Sequence, residues 1–324
     1  MFRPFRARCG SSLKSAIISC GLLSLSCAHK QATAPAKLPS FGDAVDRKDT
    51  AAVLEQAKIN PQAIRCNTRT YWVPRLGEYS EAAAAQIAAQ WGLSLDKQTR
   101  KKGARVVLGY LVRAVYEQLQ PQNFGAMIIA NRHYTDKDGT TRPLVVFRSG
   151  VTFDLQQERS CLRSLLEQGG VRHVINLYGG HFPLRDLIEK ERSLTEQHGA
   201  THYDDFGQFQ WRGLIKNEDG YKQNRDRAMR RVAELINSQI ISPGGKQPSG
   251  NIYLHCGGGM HRTGMIFGVI KRCLNKAPFE AVAAEYRRHT GYQIGKASGF
   301  EPLNLRFIRE FDCSLITRQP ATAR

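Results

Sequence analysis

The pattern of apolar and polar positions divides the chain into a helical first part and an alternating second part. Residues 41–120 carry apolar side chains at helical spacing, with breaks at Pro61 and Pro74. After residue 120, two apolar runs flank an Asp-Lys-Asp-Gly turn at 136–139 and predict a β-hairpin. Beyond that hairpin, helical and strand-like patterns alternate, which is typical of an α/β sheet.

The alternating part predicts a central, mostly parallel sheet flanked by helices, preceded by the helical N-terminal region. Strands are expected over 174–177, from 201 onward and over 252–256. Helices are expected over 155–168, 183–198, 227–239, 277–289 and 301–315.

Residues 251–263 read NIYLHCGGGMHRT and combine this pattern with residue types that react with or bind anionic groups. A short apolar strand ends at Cys256, a Gly-rich loop follows, and apolar positions at helical spacing resume at Met265. Glycines allow backbone N–H groups to turn inward around an anion, and a helix N-terminus adds the positive end of its dipole. The same field favours the reactive thiolate form of Cys256. Arg262, six positions after the cysteine, can close the loop around a phosphoryl group with two parallel hydrogen bonds.

The motif HCGGGMHRT resembles the H-C-x2-G-x2-R-[S/T] signature of cysteine-dependent protein tyrosine and dual-specificity phosphatases. The residues that fill its fixed positions are His255, Cys256, Gly259, Arg262 and Thr263. A second segment is similar to the bacterial dual-specificity-like branch: Arg-Ser-Gly at 148–150, then a helix and the strand sequence GVRHVINL at 170–177. Residues 142–317 match the layout of that family. We therefore expect a phosphatase catalytic domain over residues 121–317.

The resemblance implies a role for each residue of the loop. Cys256 would be the nucleophile and Arg262 the phosphate clamp, while Thr263 would hydrogen-bond the sulfur as it leaves the phosphocysteine intermediate. His255 would support the loop from beneath. Backbone N–H groups would bind the phosphoryl oxygens, so the expected phosphate-binding residues are Gly257, Gly258, Gly259, Met260, His261 and Arg262. The mechanism requires neither a metal nor another cofactor.

The reaction also needs a carboxylic acid that protonates the leaving oxygen and later activates water. In the family this aspartate precedes the helix that packs under the last strand. Asp219 is the favoured candidate because it lies 37 positions before Cys256 in a predicted loop. Asp205 is the second candidate, and Asp226 is interpreted as a helix cap.

The motif therefore predicts a phosphate monoester hydrolase, acting on phosphotyrosine proteins or another anionic phosphomonoester. Two alternatives stay open: a catalytically silent module that binds phosphate, and a phosphoinositide or inositol phosphate phosphatase. The absence of lysine from the loop argues mildly against the second. A rhodanese-like sulfur transferase would have a shorter loop, and no recognition motif supports nucleic-acid binding. A calcium loop at Asp136 is rejected because Phe147 stands where an EF-hand needs glutamate.

The N-terminal sequence and the net charge predict where the protein is located in the cell. Basic residues precede a short apolar run that ends near Cys27, which resembles a lipoprotein-type signal peptide over 1–26 with Cys27 as the lipidated residue. Plain cleavage and an uncleaved anchor are the alternatives. Residues 27–40 would be a linker and 318–324 a tail. The net charge of +19 favours anionic partners and membrane surfaces. We expect a periplasmic protein anchored to the membrane by its lipid.

The cysteines beyond the targeting segment and its Cys27 show no spacing that indicates a zinc site or a disulfide framework. They are Cys66, Cys161, Cys256, Cys273 and Cys313. Cys273 lies on the apolar side of its predicted helix and is expected to be a core residue.

Overall fold

A five-stranded sheet forms the centre of the molecule. The structure, a computed structural model, describes residues 47–68, 122–152, 155, 160–179, 185–205, 211–215, 217–290 and 301–316. The strands are β1 Gly125–Thr135, β2 Thr141–Gly150, β3 Val171–Asn176, β4 Thr201–Asp204 and β5 Asn251–Cys256. Their order across the sheet is β1-β2-β5-β3-β4. The predicted hairpin is antiparallel β1–β2, and the other three pairings are parallel. The predicted α/β fold is confirmed.

Helices cover both faces of this sheet. They are α1 Arg47–Gln56, α2 Cys161–Glu167, α3 Arg185–Gln197, α4 Trp211–Leu214, α5 Glu218–Leu235, α6 His261–Cys273, α7 Phe279–Thr290 and α8 Glu301–Glu310. A π-helical segment, Ile236–Ile241, continues α5, and short 3-10 turns lie at Pro61–Ala63, Pro243–Gly245 and Cys313–Leu315. One hydrophobic core includes residues of α5, α6, α7 and α8, and a second includes residues of α1, α2 and α3.

The register aligns the carboxyl ends of the parallel strands at one edge of the sheet. Gly150 at the end of β2 pairs with Cys256 at the end of β5. Asn176 at the end of β3 pairs with His255 on one side and with Asp204 on the other. In open α/β sheets this edge is where ligands bind. A ligand site is therefore expected among the residues that follow these strands.

The structure corrects several predicted helix boundaries. The helix expected from residue 227 begins at Glu218, because the Asn217 side chain accepts a hydrogen bond from the Gly220 N–H (2.8 Å) and caps it. Asp219 therefore lies in the first turn of α5 rather than in a loop. Asp226, which we expected to be a cap, lies inside the same helix. The helix expected from residue 155 begins at Cys161, and the helix expected to reach residue 315 ends at Glu310.

Two disulfides overturn the expectation that the cysteines form no such framework. Cys66 is bonded to Cys161 at the start of α2. Cys273, expected to be a core residue, is bonded to Cys313 and is also buried. The partners are 95 and 40 residues apart in sequence, so the pairing depends on the tertiary fold and spacing alone does not reveal it.

Only residues 47–68 of the predicted N-terminal helical region are described. Leu54, Ile59 and Ile64 share a hydrophobic core with Val145 and Tyr253 of the sheet. The expected signal peptide, the linker and the tail lie outside the described residues. Among the helices of the described part, none is both long and apolar enough to cross a membrane.

Candidate active site

Cys256 ends β5 and its side chain is almost completely enclosed. The residue is 6% exposed, and it is the free cysteine among the described residues. The loop Gly257–Met260, which we call the phosphate loop, leads directly into α6 at His261. Met260 at the N-cap makes no side-chain capping bond, so no side-chain cap covers the first amides of the helix. The predicted order of strand, loop and helix is thus present around the cysteine.

The backbone carbonyls of Cys256 and of the phosphate loop are held by donors outside the loop. The Val151 N–H donates to the carbonyl oxygens of Cys256 (3.0 Å) and Gly257 (3.1 Å). The Asn123 Nδ2 donates to the Gly258 carbonyl (3.2 Å), and the Arg148 guanidinium donates to the Gly259 carbonyl (2.5 Å). These hydrogen bonds hold four successive carbonyl groups toward the outside of the loop. The N–H groups of the loop are therefore biased toward its inner side, which is the arrangement of an anion-binding nest.

Arg148 and Asn123, the two side chains that hold the loop, are themselves fixed. Arg148 is 1% exposed and its guanidinium lies over the Phe267 ring at 5.1 Å from the centroid. Asn123 has a left-handed backbone (φ +51°), which asparagine tolerates better than most residues. Its Nδ2 also donates to the His289 carbonyl (2.9 Å), and its Oδ1 lies 2.6 Å from His289 Nδ1.

Gly259 shows why the third loop position requires glycine. Its φ is +66°, in the left-handed region. A Cβ on this residue would lie 2.5 Å from the Gly150 nitrogen and from the Ser149 carbonyl carbon. The loop thus packs directly on the Arg-Ser-Gly segment that the sequence singled out at residues 148–150.

Arg262 lies in the first turn of α6. Its guanidinium donates to the Leu177 carbonyl oxygen and lies over the Tyr178 ring at 5.7 Å from the centroid. Burial raises the pKa of Tyr178, the charge of Arg262 lowers it, and a Cys256 thiolate would raise it further. The Tyr178 hydroxyl therefore stays neutral at physiological pH, next to both groups.

Two other predicted residues occupy buried positions around the cysteine. Thr263 is fully buried, and within the described residues its hydroxyl oxygen has no hydrogen-bond partner. His255 precedes Cys256 on β5, so its side chain points to the opposite face of the sheet. The His255 ring is fully enclosed and lies 5.3 Å from the Tyr253 ring, centroid to centroid.

Met260 and His261 lie at the junction of the phosphate loop and α6, and both are half-buried. The Nδ1 atom of His261 lies 3.2 Å from the Tyr286 hydroxyl. That hydroxyl accepts a hydrogen bond from Asn304 (2.6 Å). His261 thus links the loop to α7 and α8.

The two candidate acids differ in their surroundings. Asp205 follows β4 at the carboxyl edge of the sheet and is 8% exposed, and its N–H donates to the Asn176 carbonyl (2.9 Å). Asp205 and Cys256 each lie one residue beyond a partner of Asn176. The backbones of these two residues are therefore level along the strand direction, and they are separated by two strand spacings, or roughly 10 Å. Asp219 lies in the first turn of α5 with an exposed side chain.

One buried cluster contains the type of side chains that bind metals. The Oε1 atom of Glu191, on α3, is 2.6 Å from His255 Nε2 and 3.0 Å from His202 Nε2. These three residues form a possible ligand set. Ligand atoms about 2.0–2.1 Å from a zinc ion in a tetrahedral site lie about 3.3 Å apart. The observed distances are shorter and match hydrogen bonds. We therefore interpret the cluster as hydrogen-bonded.

The sequence predicted the phosphate loop but not all of the side chains around it. Arg148 was part of a segment that resembled the family, although no role followed from it. No sequence signal singled out Asn123, Tyr178, His202 or Glu191, whose places depend on the tertiary fold.

No family model matches this chain, and no curated protein matches it. Among solved structures, the core catalytic domain of the PP-IP phosphatase SIW14 from S. cerevisiae is similar, with a TM-score of 0.33 and 19% identity over 52% of this chain and 80% of that chain. Another structure of the Siw14 catalytic core has a TM-score of 0.34 and 16% identity, covering 53% and 82%. TpbA from P. aeruginosa has a TM-score of 0.34 and 14% identity, covering 53% and 83%. These values are too low to indicate a shared function.

Proposed function

We propose that the protein is a cysteine-dependent phosphatase that hydrolyses phosphate monoesters through a phosphocysteine intermediate. The observation that carries the proposal is the enclosed Cys256 at the end of β5, followed by a loop whose carbonyls are held outward and by the uncapped start of α6. This arrangement supplies a nucleophile and an anion-binding nest within one turn of each other.

In the first step the Cys256 thiolate attacks phosphorus while the bond from phosphorus to the leaving oxygen breaks. The loop N–H groups and Arg262 bind the non-bridging oxygens, where charge is held in the transition state. The hydrogen bond to Leu177 engages one of the five guanidinium N–H donors of Arg262 and orients the group. In the second step water attacks phosphorus and the thiolate leaves, accepting a hydrogen bond from the Thr263 hydroxyl.

The acid that protonates the leaving oxygen is proposed to be Asp205. The sequence favoured Asp219, but burial at the carboxyl edge and the level position beside Cys256 support Asp205. An aspartic acid at this place can donate its proton to the leaving group and then, as a carboxylate, accept a proton from the attacking water. Asp219 is the second candidate.

The substrate is proposed to be a phosphotyrosine protein or another phosphomonoester, with an inositol phosphate as the alternative. The loop supplies Gly257, Gly258, Met260 and His261 at its variable positions and no lysine. A loop without added positive charge suits a monoester better than a molecule bearing several phosphates.

We also propose export to the periplasm, with lipidation at Cys27. The two disulfides support this proposal because such bonds form and persist in oxidising compartments. Labelled fatty acid should appear on the wild-type chain and not on Cys27→Ala. Equal labelling of both chains would refute lipidation at this residue.

The enzyme assay tests the main proposal. The full chain, with Cys256 kept reduced, should hydrolyse an aryl phosphate, and Cys256→Ser should be inactive while still binding inorganic phosphate. A folded wild-type chain that binds phosphate without turnover would instead indicate the silent binding module. A panel of phosphotyrosine peptide, phosphoserine peptide and inositol phosphate would then separate the substrate classes.

A further inference from the structure

A small cavity lies at the edge of the sheet where the parallel strands begin, opposite the edge where Cys256 lies. Its volume is about 250 Å³, and it lies between the turn that follows α1, the β1–β2 hairpin turn and the connection from α2 to β3. The two ends of β5 are roughly 17 Å apart, so this cavity and the phosphate loop are separate sites. We call it the hairpin pocket, and its charged lining residues are Lys58, Asp136, Lys137, Arg142, Glu167 and Arg172.

Positive charge dominates the lining of the hairpin pocket, because both of its acidic groups already have partners. The Asp136 Oδ2 atom lies 2.5 Å from Arg142 Nε, and its Oδ1 atom accepts hydrogen bonds from two backbone N–H groups of the hairpin turn. Glu167 Oε1 lies 3.2 Å from His198 Nε2 and 3.5 Å from Arg163 Nη1.

The remaining basic groups of the lining have no such partner. Within the described part of the chain, Lys58, Lys137 and Arg172 form no ion pair with a carboxylate. Three positive charges that no acidic side chain balances favour an anion in the pocket.

Arg172 is fixed by backbone groups and retains donors for a ligand. Its Nη1 atom donates to the carbonyl oxygens of Leu166 (3.1 Å) and Val171 (2.8 Å). A Cβ on Gly250 would lie 2.5 Å from the Arg172 Cγ atom, so the stem of the side chain packs directly on that glycine. Among the described residues, the Nε and Nη2 atoms of Arg172 donate no hydrogen bond. A guanidinium group held in this way is oriented before an anion arrives.

Tyr134 adds a neutral hydrogen-bond donor near both guanidinium groups of the pocket. The residue is buried, and a Cβ on Gly170 would lie 3.1 Å from its hydroxyl oxygen. Burial raises the pKa of Tyr134, while the charges of Arg142 and Arg172 lower it and that of Asp136 raises it. The hydroxyl group therefore stays protonated at physiological pH, and it can donate to an anion that the two arginines attract.

We propose that the hairpin pocket binds a phosphate group through the guanidinium groups of Arg142 and Arg172 and the ammonium groups of Lys58 and Lys137. Guanidinium groups match phosphate oxygens with paired hydrogen bonds, and lysine adds a point charge. Sites for drug-sized ligands have volumes of roughly 300–1,000 Å³, so the smaller hairpin pocket suits a phosphate group on a small carrier. This inference goes beyond the proposed function, because the anion is bound here and not hydrolysed.

Two exposed lysines with nearly the same backbone conformation provide an internal comparison. Lys58 has φ +57° and lines the pocket, whereas Lys276 has φ +58° and does not. The full chain is acetylated during a titration with inorganic phosphate, with sodium chloride keeping the ionic strength constant, and mass spectrometry follows each lysine. At half-saturation, phosphate should slow the acetylation of Lys58 and Lys137 about two-fold, because half of the sites are then filled. Lys276 should be unaffected. An equal effect on all three lysines, or none, would overturn the proposal.

Calorimetry in an Arg262→Met chain separates the hairpin pocket from the phosphate loop. This replacement weakens binding at the loop, so the phosphate that the chain still binds reports the pocket. Adding Arg142→Gln should weaken that binding about ten-fold or more, the effect of losing a charge-assisted hydrogen bond, and adding Lys276→Gln should not change it. If Arg142→Gln does not fold, Lys137→Gln on the exposed hairpin turn takes its place with the same expectation. Unchanged affinity in the folded pocket variant would refute the site.

The same acetylation experiment distinguishes two sources of the phosphate group. Protection of Lys58 and Lys137 by phosphatidylglycerol vesicles, but not by phosphatidylcholine vesicles, would identify a lipid head group. Protection by inorganic phosphate alone would identify a soluble phosphate, and protection by neither would refute the proposal. Acetylation requires no turnover, so an inactive wild-type chain with protected lysines would refute the phosphatase and support the pocket. An active enzyme without protection would refute the pocket alone.

Discussion

The guanidinium of Arg148 donates a hydrogen bond to the Gly259 carbonyl oxygen at 2.5 Å, joining residues 111 positions apart in sequence. The carbonyl lies at the one loop position with a left-handed backbone. Without a donor on this carbonyl, the peptide that follows Gly259 would be free to rotate and point its oxygen into the phosphate site. Arg148 therefore acts on the phosphate through the shape of the loop.

Replacing Arg148 by methionine should reduce kcat/KM for an aryl phosphate by about 100-fold, the effect of a small displacement of binding groups. Alkylation of Cys256 should persist, because the nucleophile itself is intact. Arg231→Met is the matched control, since Arg231 is on the surface of α5, paired with Glu234, and away from the loop. Unchanged kcat/KM in a folded Arg148→Met enzyme would contradict the role of this hydrogen bond.

Asp205→Asn and Asp219→Asn distinguish the two candidate acids. Loss of the general acid should lower kcat by about 100- to 10,000-fold for substrates with poor leaving groups, because the departing oxygen must then leave without a proton. We expect this loss in Asp205→Asn and less than a two-fold change in Asp219→Asn, whose side chain is exposed. Rates with aryl phosphates of graded leaving-group acidity provide the measurement. The reverse result would return the role to Asp219.

The phosphate loop and most of the sheet could be predicted because their signals are local. Alternation, turn residues and a nine-residue motif each lie within a short stretch of chain. The start of α5 was missed because the Asn-Glu-Asp-Gly segment at 217–220 resembles a turn, although the Asn217 side chain caps a helix there. The sequence signals for cap and turn overlap, since both depend on short polar side chains bonded to backbone.

The residues that surround the loop could not be predicted for a different reason. Asn123 contacts a carbonyl 135 positions away, and Glu191 contacts a histidine 64 positions away. The disulfide from Cys66 to Cys161 joins segments 95 positions apart. A single sequence has no pattern that links such positions, so these contacts become visible only when the strands are ordered in the sheet.

Gly259→Ala should be far more damaging than alanine at another left-handed glycine. Gly139 has φ +76° with nothing within 4 Å of an added Cβ, so Gly139→Ala should cost about 1–2 kcal/mol from the backbone alone. At Gly259 the clash with Gly150 and Ser149 should add about 1–3 kcal/mol and displace the loop. Denaturant unfolding of both variants, with phosphate binding, measures the difference. Equal destabilisation with binding retained would show that the contact is dispensable.

Stability should fall as the pH drops from 6.5 to 4 because of His173. Burial lowers the pKa of His173 from 6.5 to about 4 in the folded protein. In that window the unfolded chain binds a proton that the folded chain does not, so unfolding becomes more favourable as the pH falls. The contribution is intact above pH 6.5 and lost by about pH 4.

Replacing His173 by glutamine should therefore flatten the pH dependence of the free energy of unfolding, by up to about 3 kcal/mol across the window. Urea unfolding at several pH values measures the slope. Gln239→Ala is the control, because it removes the hydrogen-bond partner of the His173 Nε2 atom (3.1 Å) and keeps the ring. Because this hydrogen bond raises the pKa of His173, its loss should lower stability and keep the slope at least as steep. An equally steep slope in His173→Gln would assign the acid sensitivity to other groups.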